Sequence, residues 1–271
     1  MTLPTFTLRQ LIEAGVHFGH HARRWNPQMG PYIYGKKDNV HIIDLRKTYP
    51  MLYTALNTAR DVAANGGRVL FVGTKRQAQD IVKENAERCG QFYVNYRWLG
   101  GMLTNWKTVH KSISRLAKLN EMSEKNAYDG YTKKEMLNMK KEQQKLSQEL
   151  SGIMNMGGQP DLLFVIDTTK ETLAVKEAKK LGIPVIGITD TNANPNDVDL
   201  PVPGNDDAIR AIQLYCELMS SAILDGMQAE IASQGLKVEE MVESEVAEAK
   251  ATKKKSSKKA KAEVKEEVAG E

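Results

Sequence analysis

Three short blocks of unbroken apolar text constrain this chain most: RVLFVG at 68–73, DLLFVID at 161–167 and PVIGIT at 184–189. A strand with one wet face alternates polar and apolar side chains, whereas a strand covered on both faces reads as a solid apolar run. The first block is followed by helix-like text, KRQAQDIVKENAERCG, and then by a further strand, QFYVNYR. The second leads through KETLAVKEAKKLG into the third. Strand and helix therefore alternate, and the fold class is α/β, with a doubly wound parallel sheet and helices on both faces.

Other segments attach to that body. A short helix from Thr7 to Ala14 is capped by Thr7 and stopped by Gly15. In the ring- and base-rich loop that follows, PYIYG and VHIID flank KKDN, which predicts a β-hairpin with Lys36 and Lys37 at its tip. Asp44 caps a helix running to about Asn65, and a last helix begins near Asn205, Asp206 and Asp207. Between QFYVNYR and DLLFVID lie more than fifty residues without strand text. Trp106, Val109, Ile113 and Leu116, then Met136, Met139, Gln143, Leu146, Leu150 and Ile153, follow steps of three and four. Two narrow-seamed helices joined by NAYDGYT are expected, an antiparallel hairpin whose arms reach about 25–28 Å. The predicted organisation is an α/β body (1–103 and 157–230, with the N-terminal helix and basic hairpin), a helical arm (104–156) and a low-complexity charged tail (231–271), expected to be disordered.

The net charge of +4 hides a division. Residues 1–156 carry 24 basic and 13 acidic side chains, residues 157–241 carry 6 and 14, and the remainder 8 and 7. The first part is +11 and the second −8, which points to a polyanion partner for the basic part. The two cysteines, Cys89 and Cys216, form neither a CxxC nor an even framework, so disulfide scaffolds and cysteine zinc sites are not expected. MTLPTFTLRQ has no apolar signal core, and no apolar run approaches the roughly 20 residues a bilayer requires. The expectation is a cytoplasmic chain without a membrane partner.

A doubly wound sheet invites an enzyme reading, and a nucleotide-binding α/β enzyme is the alternative here. The turn after the first block, VGTKRQAQ, has one glycine and a lysine; it is neither GxGxxG nor GxxxxGK followed by Ser or Thr. Gly73-Thr74-Lys75 at a helix start can still hold a single phosphate, of a nucleotide or of nucleic acid. His17 and His20, three apart, with Asp190 and Asp206 at element ends, are weak zinc candidates. No other cofactor is expected. RWLGGMLTNW, Arg97 to Trp106, lies between a strand and the arm. Its glycine pair admits close backbone approach, and its guanidinium, indoles and amide suit phosphates and stacked bases.

HFGHHARRWNPQM, VHIIDL, VLFVGTKRQA, RWLGGMLTNWKT, PDLLFVID, LGIPVIGITDTN and PGNDDAIRAI, in this order, closely resemble the bacterial-type small-subunit ribosomal protein S-two family over about Thr7 to Gly226. The resemblance implies a flavodoxin-like parallel five-stranded sheet with an inserted coiled-coil hairpin and no catalytic activity. It also implies a place on the solvent side of the small subunit between head and body, contacts with ribosomal RNA and neighbouring proteins, docking of the messenger-binding protein S-one, and no homo-oligomer. Shape and backbone dominate recognition of folded RNA. Arg23, Arg24, Lys36, Lys37, Lys75, Arg76, Arg97 and Lys107 are therefore assigned to phosphates, Trp25, Trp98 and Trp106 to stacking or packing, and Asn26 and Asn105 to hydrogen bonds.

Overall fold

The computed structural model describes residues 4–125 and 131–233. Helix α1 (Leu8–Glu13) has the expected Thr7 cap, closed reciprocally by Gln10, and Gly15 leaves it at φ +76°. A strand that the sequence concealed follows: β1 (Phe18–His21) pairs with β3 (Val40–Ile43), which pairs in turn with β2 (Ile33–Lys37). Asp38 and Asn39, both at positive φ, make the tight turn of the β2–β3 hairpin. Asp44 caps α2 (Leu45–Ala64) through Arg46 N.

The central sheet holds β4 (Val69–Val72), β5 (Phe92–Val94), β6 (Leu162–Ile166), β7 (Val185–Thr189) and β8 (Leu200–Pro203). All pairs are parallel, in the order β5-β4-β6-β7-β8. Counted along the chain this is 2-1-3-4-5, the flavodoxin-like winding. The connecting helices are α3 (Gln79–Arg88), the insert helices α4 (Trp106–Glu124) and α5 (Lys133–Leu150), then α6 (Thr172–Leu181) and α7 (Ile209–Ser233). Helix α3 starts four residues later than its text suggests, because Lys75 to Ala78 form a turn.

The unbroken apolar blocks are explained by two cores. Val69, Phe71, Leu162, Phe164, Ile186 and Ile188 point to one face, against α2, α3 and α7. Leu70, Val72, Leu163, Val165 and Val185 point to the other, against α6 and the root of the insert. Phe71 and Phe164 meet edge to face, 5.4 Å between centroids. The fifth strand, LPVP, was not legible from residues because two prolines interrupt it; it lies at the sheet edge, where missing amides are tolerated. At the opposite edge, the turn Ser151–Ile153 presses on β5, so that a Cβ on Gly152 would lie 2.1 Å from the Tyr93 carbonyl oxygen.

The insert helices run antiparallel: Arg115 is paired with Glu142 at 3.2 Å, and Gln143 Nε2 donates to Asn120 Oδ1 at 2.9 Å. Val109, Ile113 and Leu116 are buried against Leu150 and Ile153 at the root, whereas Met136, Met139 and Leu146 farther along α5 are only half-buried. Thr132 and Glu135 close a capping box on α5; residues 126–130 of the expected NAYDGYT connection lie outside the described residues. By compactness, residues 1–227, arm included, form one unit and 228–271 another. The expected disorder of 231–271 falls, beyond Ser233, outside the described residues.

Helix α7 lies against α2 through Gly226, where a Cβ would meet the Arg60 carbonyl oxygen at 2.4 Å, beside a 2.7 Å Arg60–Asp225 ion pair. Gly226→Ala is therefore expected to cost about 1–3 kcal/mol by overpacking, visible as a lowered midpoint in denaturant unfolding.

Candidate nucleic-acid interface

The RWLGGMLTNW segment is organised by a residue the sequence reading passed over. Glu177, buried on α6, accepts from Trp98 Nε1 at 3.2 Å, Gly101 N at 2.7 Å, Leu103 N at 3.0 Å, and Thr104 N and Oγ1 at 3.1 Å each. Gly101 takes φ +82°, so the loop wraps its amides around the carboxylate. Burial pushes the Glu177 pKa up, but the Thr104, Leu103 and Gly101 amides and the Trp98 indole outweigh it, and the net shift is downward. The signal was present in the text: Glu177 shares the buried stripe of Ala174, Val175 and Ala178, and a buried indole N–H needs an acceptor.

This arrangement decides the roles of the motif. Trp98, 6% exposed with its N–H committed to Glu177, is a packing anchor, not a free stacking platform. Trp106 is half-buried against the same core. Arg97, Asn105 and Lys107 remain exposed, and Asn105 Oδ1 accepts from Thr108 Oγ1 at 3.0 Å.

Lys75 is a correction. Its ammonium, with the side chain 13% exposed, lies 2.8 Å from Asp167, 2.7 Å from Asp206 and 2.8 Å from Asp207. Burial works to lower the Lys75 pKa, and these carboxylates more than reverse it. A lysine neutralised inside the body has no charge left for a phosphate, whereas Arg76 beside it is exposed. The single-phosphate seat at Thr74 is also closed: Glu171 Oε1 accepts from Thr74 N at 3.1 Å and from Thr74 Oγ1. A carboxylate of the chain itself thus sits where a nucleotide phosphate would.

The metal candidates are brought together in part. One donor atom each of His20, Asp190 and Asp206 lies within 4.8 Å of the others, and His20 Nδ1 is 2.8 Å from Asp190 Oδ2. Burial first, then Asp190 and Asp167, push the Asp206 pKa up to about 7. The donor types suit zinc, but the Lys75 ammonium already brings positive charge to the group. His17 is not a member; it packs on Phe18, 4.0 Å between centroids, beside α1.

The hairpin gathers the largest set of assigned residues. His21, Arg23, Arg24, Lys36 and the Asp38-Asn39 turn line one concavity of about 760 Å³. Arg23, Arg24, Lys36 and Lys37 are exposed, and the ion pairs among the described residues do not involve them. Trp25, 42% exposed, rests on His41 at 5.4 Å between centroids. Asn26 is partly spent, since its Oδ1 accepts from Gln28 N at 3.0 Å. Arg97 and Trp98 line a different concavity, at the root of the arm.

A doubly wound sheet whose switch-point amide is taken by its own glutamate, and whose hairpin turns arginines and lysines to solvent, defines a scaffolding α/β protein with a cationic face. The family model for ribosomal protein S2 matches residues 11–226. The small ribosomal subunit protein uS2 of Rhodospirillum rubrum is 61% identical over 253 residues, covering 93% of this chain and 97% of that protein. Its counterpart in Gluconobacter oxydans is 63% identical over 235 residues (87% and 88%), and that of Mesorhizobium japonicum 57% over 246 residues (91% and 94%). The chain belongs to the ribosomal protein S2 family, a family of structural proteins and not of enzymes.

Proposed function

We propose that this chain is a structural constituent of the small ribosomal subunit in translation, holding ribosomal RNA mainly through its three-stranded basic hairpin. The observation that carries the assignment is the concavity formed by Arg23, Arg24 and Lys36, whose cations have no carboxylate partner among the described residues. Exposed cations on a short, tightly turned hairpin suit backbone phosphates, and Trp25 beside them offers a ring to an unstacked base. Arg76, Arg97 and Lys107 extend the contact toward the root of the arm, with Asn105 as a hydrogen bonder. Placement on the solvent side between head and body, and docking of the messenger-binding protein S-one, belong to the same reading. The docking is supported by an apolar groove between α1 and the hairpin, lined by Leu8, Ile12, Tyr34 and Ile42. Lys75 serves as the resident cation of the His20–Asp190–Asp206 group, and the reading assigns no cofactor.

The test is a double charge reversal, Arg23→Glu with Lys36→Glu. Affinity for small-subunit RNA is expected to fall by about tenfold or more, and the log–log salt slope by about one per lost phosphate contact. Unchanged affinity and slope, together with normal occupancy in purified subunits, would remove the hairpin from the interface.

A further inference from the structure

The concavity at the root of the arm has a composition that the backbone-binding role does not use. It measures about 680 Å³ and opens where β4, β5 and β6 end, at the reversal of strand order where ligands of such sheets collect. That volume falls inside the roughly 300–1,000 Å³ range of ligand pockets. Its wall is completed by α5, so body and arm share it.

Two carboxylates line it: Glu171, buried and bonded to Thr74, and the half-buried Glu149 of α5. A phosphate entering first would find the Thr74 amide already taken by Glu171. Lys170 donates to the Thr74 carbonyl oxygen at 2.9 Å, and its charge offsets part of that of Glu171. The flat and apolar surfaces are Tyr96, 50% exposed, and Leu173, 54% exposed. Arg97 and Lys145, both exposed, add two further cations to the lining. Carboxylates, a ring and cations in one lining suit a ligand that offers them a donor-bearing base and its flanking phosphates.

We propose that this concavity receives an unstacked guanosine of the RNA, its N1–H and N2–H edge toward Glu149 and Glu171, its base against Tyr96, and its flanking phosphates at Arg97 and Lys145. Guanine presents two adjacent donors on its Watson–Crick edge, which a carboxylate accepts side by side, whereas uracil presents one donor, N3–H, flanked by carbonyls that a carboxylate repels. Stacking on an aromatic side chain is sequence-tolerant, so discrimination falls to the glutamates. The assignment rests on the RNA-binding reading above but uses residues remote from the hairpin.

The experiment uses the full-length chain and fluorescein-labelled pentaribonucleotides, UUGUU against UUUUU, by anisotropy at fixed salt. UUGUU is expected to bind at least tenfold tighter. Tyr96→Ala should weaken both pentamers, and Glu149→Gln should erase most of the difference between them. Melting curves of both variants check that these exposed or half-exposed substitutions leave the fold intact. Equal affinity for the two pentamers overturns the proposal, as does a preference that survives Tyr96→Ala combined with Glu149→Gln. Guanosine monophosphate competing as well as UUGUU also overturns it, because Arg97 and Lys145 would then contribute nothing. If the Arg23→Glu/Lys36→Glu variant loses small-subunit RNA while the pentamers are not discriminated, only the pocket assignment fails. If neither experiment shows an effect, the RNA reading itself falls.

Discussion

Glu177→Ala is expected to destabilise the protein by about 3–5 kcal/mol and to loosen the root of the arm before the sheet unfolds. The estimate follows from the donors left behind: the Trp98 indole and the Gly101, Leu103 and Thr104 amides all converge on one carboxylate. Each buried donor left unpaired costs roughly 1–3 kcal/mol, reduced where water can enter. Glu177→Gln keeps an acceptor oxygen but brings an N–H₂ toward amides that already donate, so it should recover only part of the loss. Differential scanning calorimetry, with exchange of the 98–104 amides, measures both effects. A loss under 1 kcal/mol for the alanine variant would contradict the organising role of this carboxylate. Acid should imitate the substitution. The folded-state pKa of Glu177 lies below its ordinary 4.5, so its contribution is complete above about 4.5 and disappears as the pH falls through the lower folded value.

Lys75→Met is the second large effect, expected at about 3–5 kcal/mol, the usual consequence of removing one partner from a buried ionic group. Asp167 and Asp206 are buried, and without the ammonium between them their charges face each other in a low-dielectric interior. A second substitution distinguishes charge from packing. Asp206→Asn in the Lys75→Met background should restore part of the lost stability, because it removes the stranded negative charge while keeping the side-chain shape. Urea unfolding of the single and double variants gives the coupling directly. Additive losses would show that the lysine acts by its methylene stem alone. The same experiment bears on RNA: since Lys75 is enclosed, its loss should leave the salt slope of RNA binding unchanged in the folded fraction.

Much of the architecture was legible because local signals agreed with the final packing. Three central strands appeared as apolar blocks and a fourth as QFYVNYR, and Thr7 and Asp44 are capping residues in sequence and structure alike. The failures have physical reasons. β1 was hidden because FGHH is short, half-exposed and supplied with histidines, so neither period nor apolarity marks it. β8 was hidden by Pro201 and Pro203, which argue against a strand unless it lies at an edge. Exposed cations on the hairpin were foreseen, because no folding constraint claims them. Lys75 was misread because Asp167, Asp206 and Asp207 lie far away in sequence, and Glu177 was missed because only its place on a buried stripe marks it in the text, while its mostly backbone partners do not. Charge tells where a side chain can act only after the fold decides what stands beside it.

The two margins of the central sheet bear on how copies of the chain can associate. Pro201 and Pro203 deprive β8 of amide donors, and the Ser151–Ile153 turn lies hard against β5. Neither flank offers the row of free backbone groups from which sheets grow between molecules. Strand addition between two copies of the chain is therefore disfavoured at both edges of the central sheet.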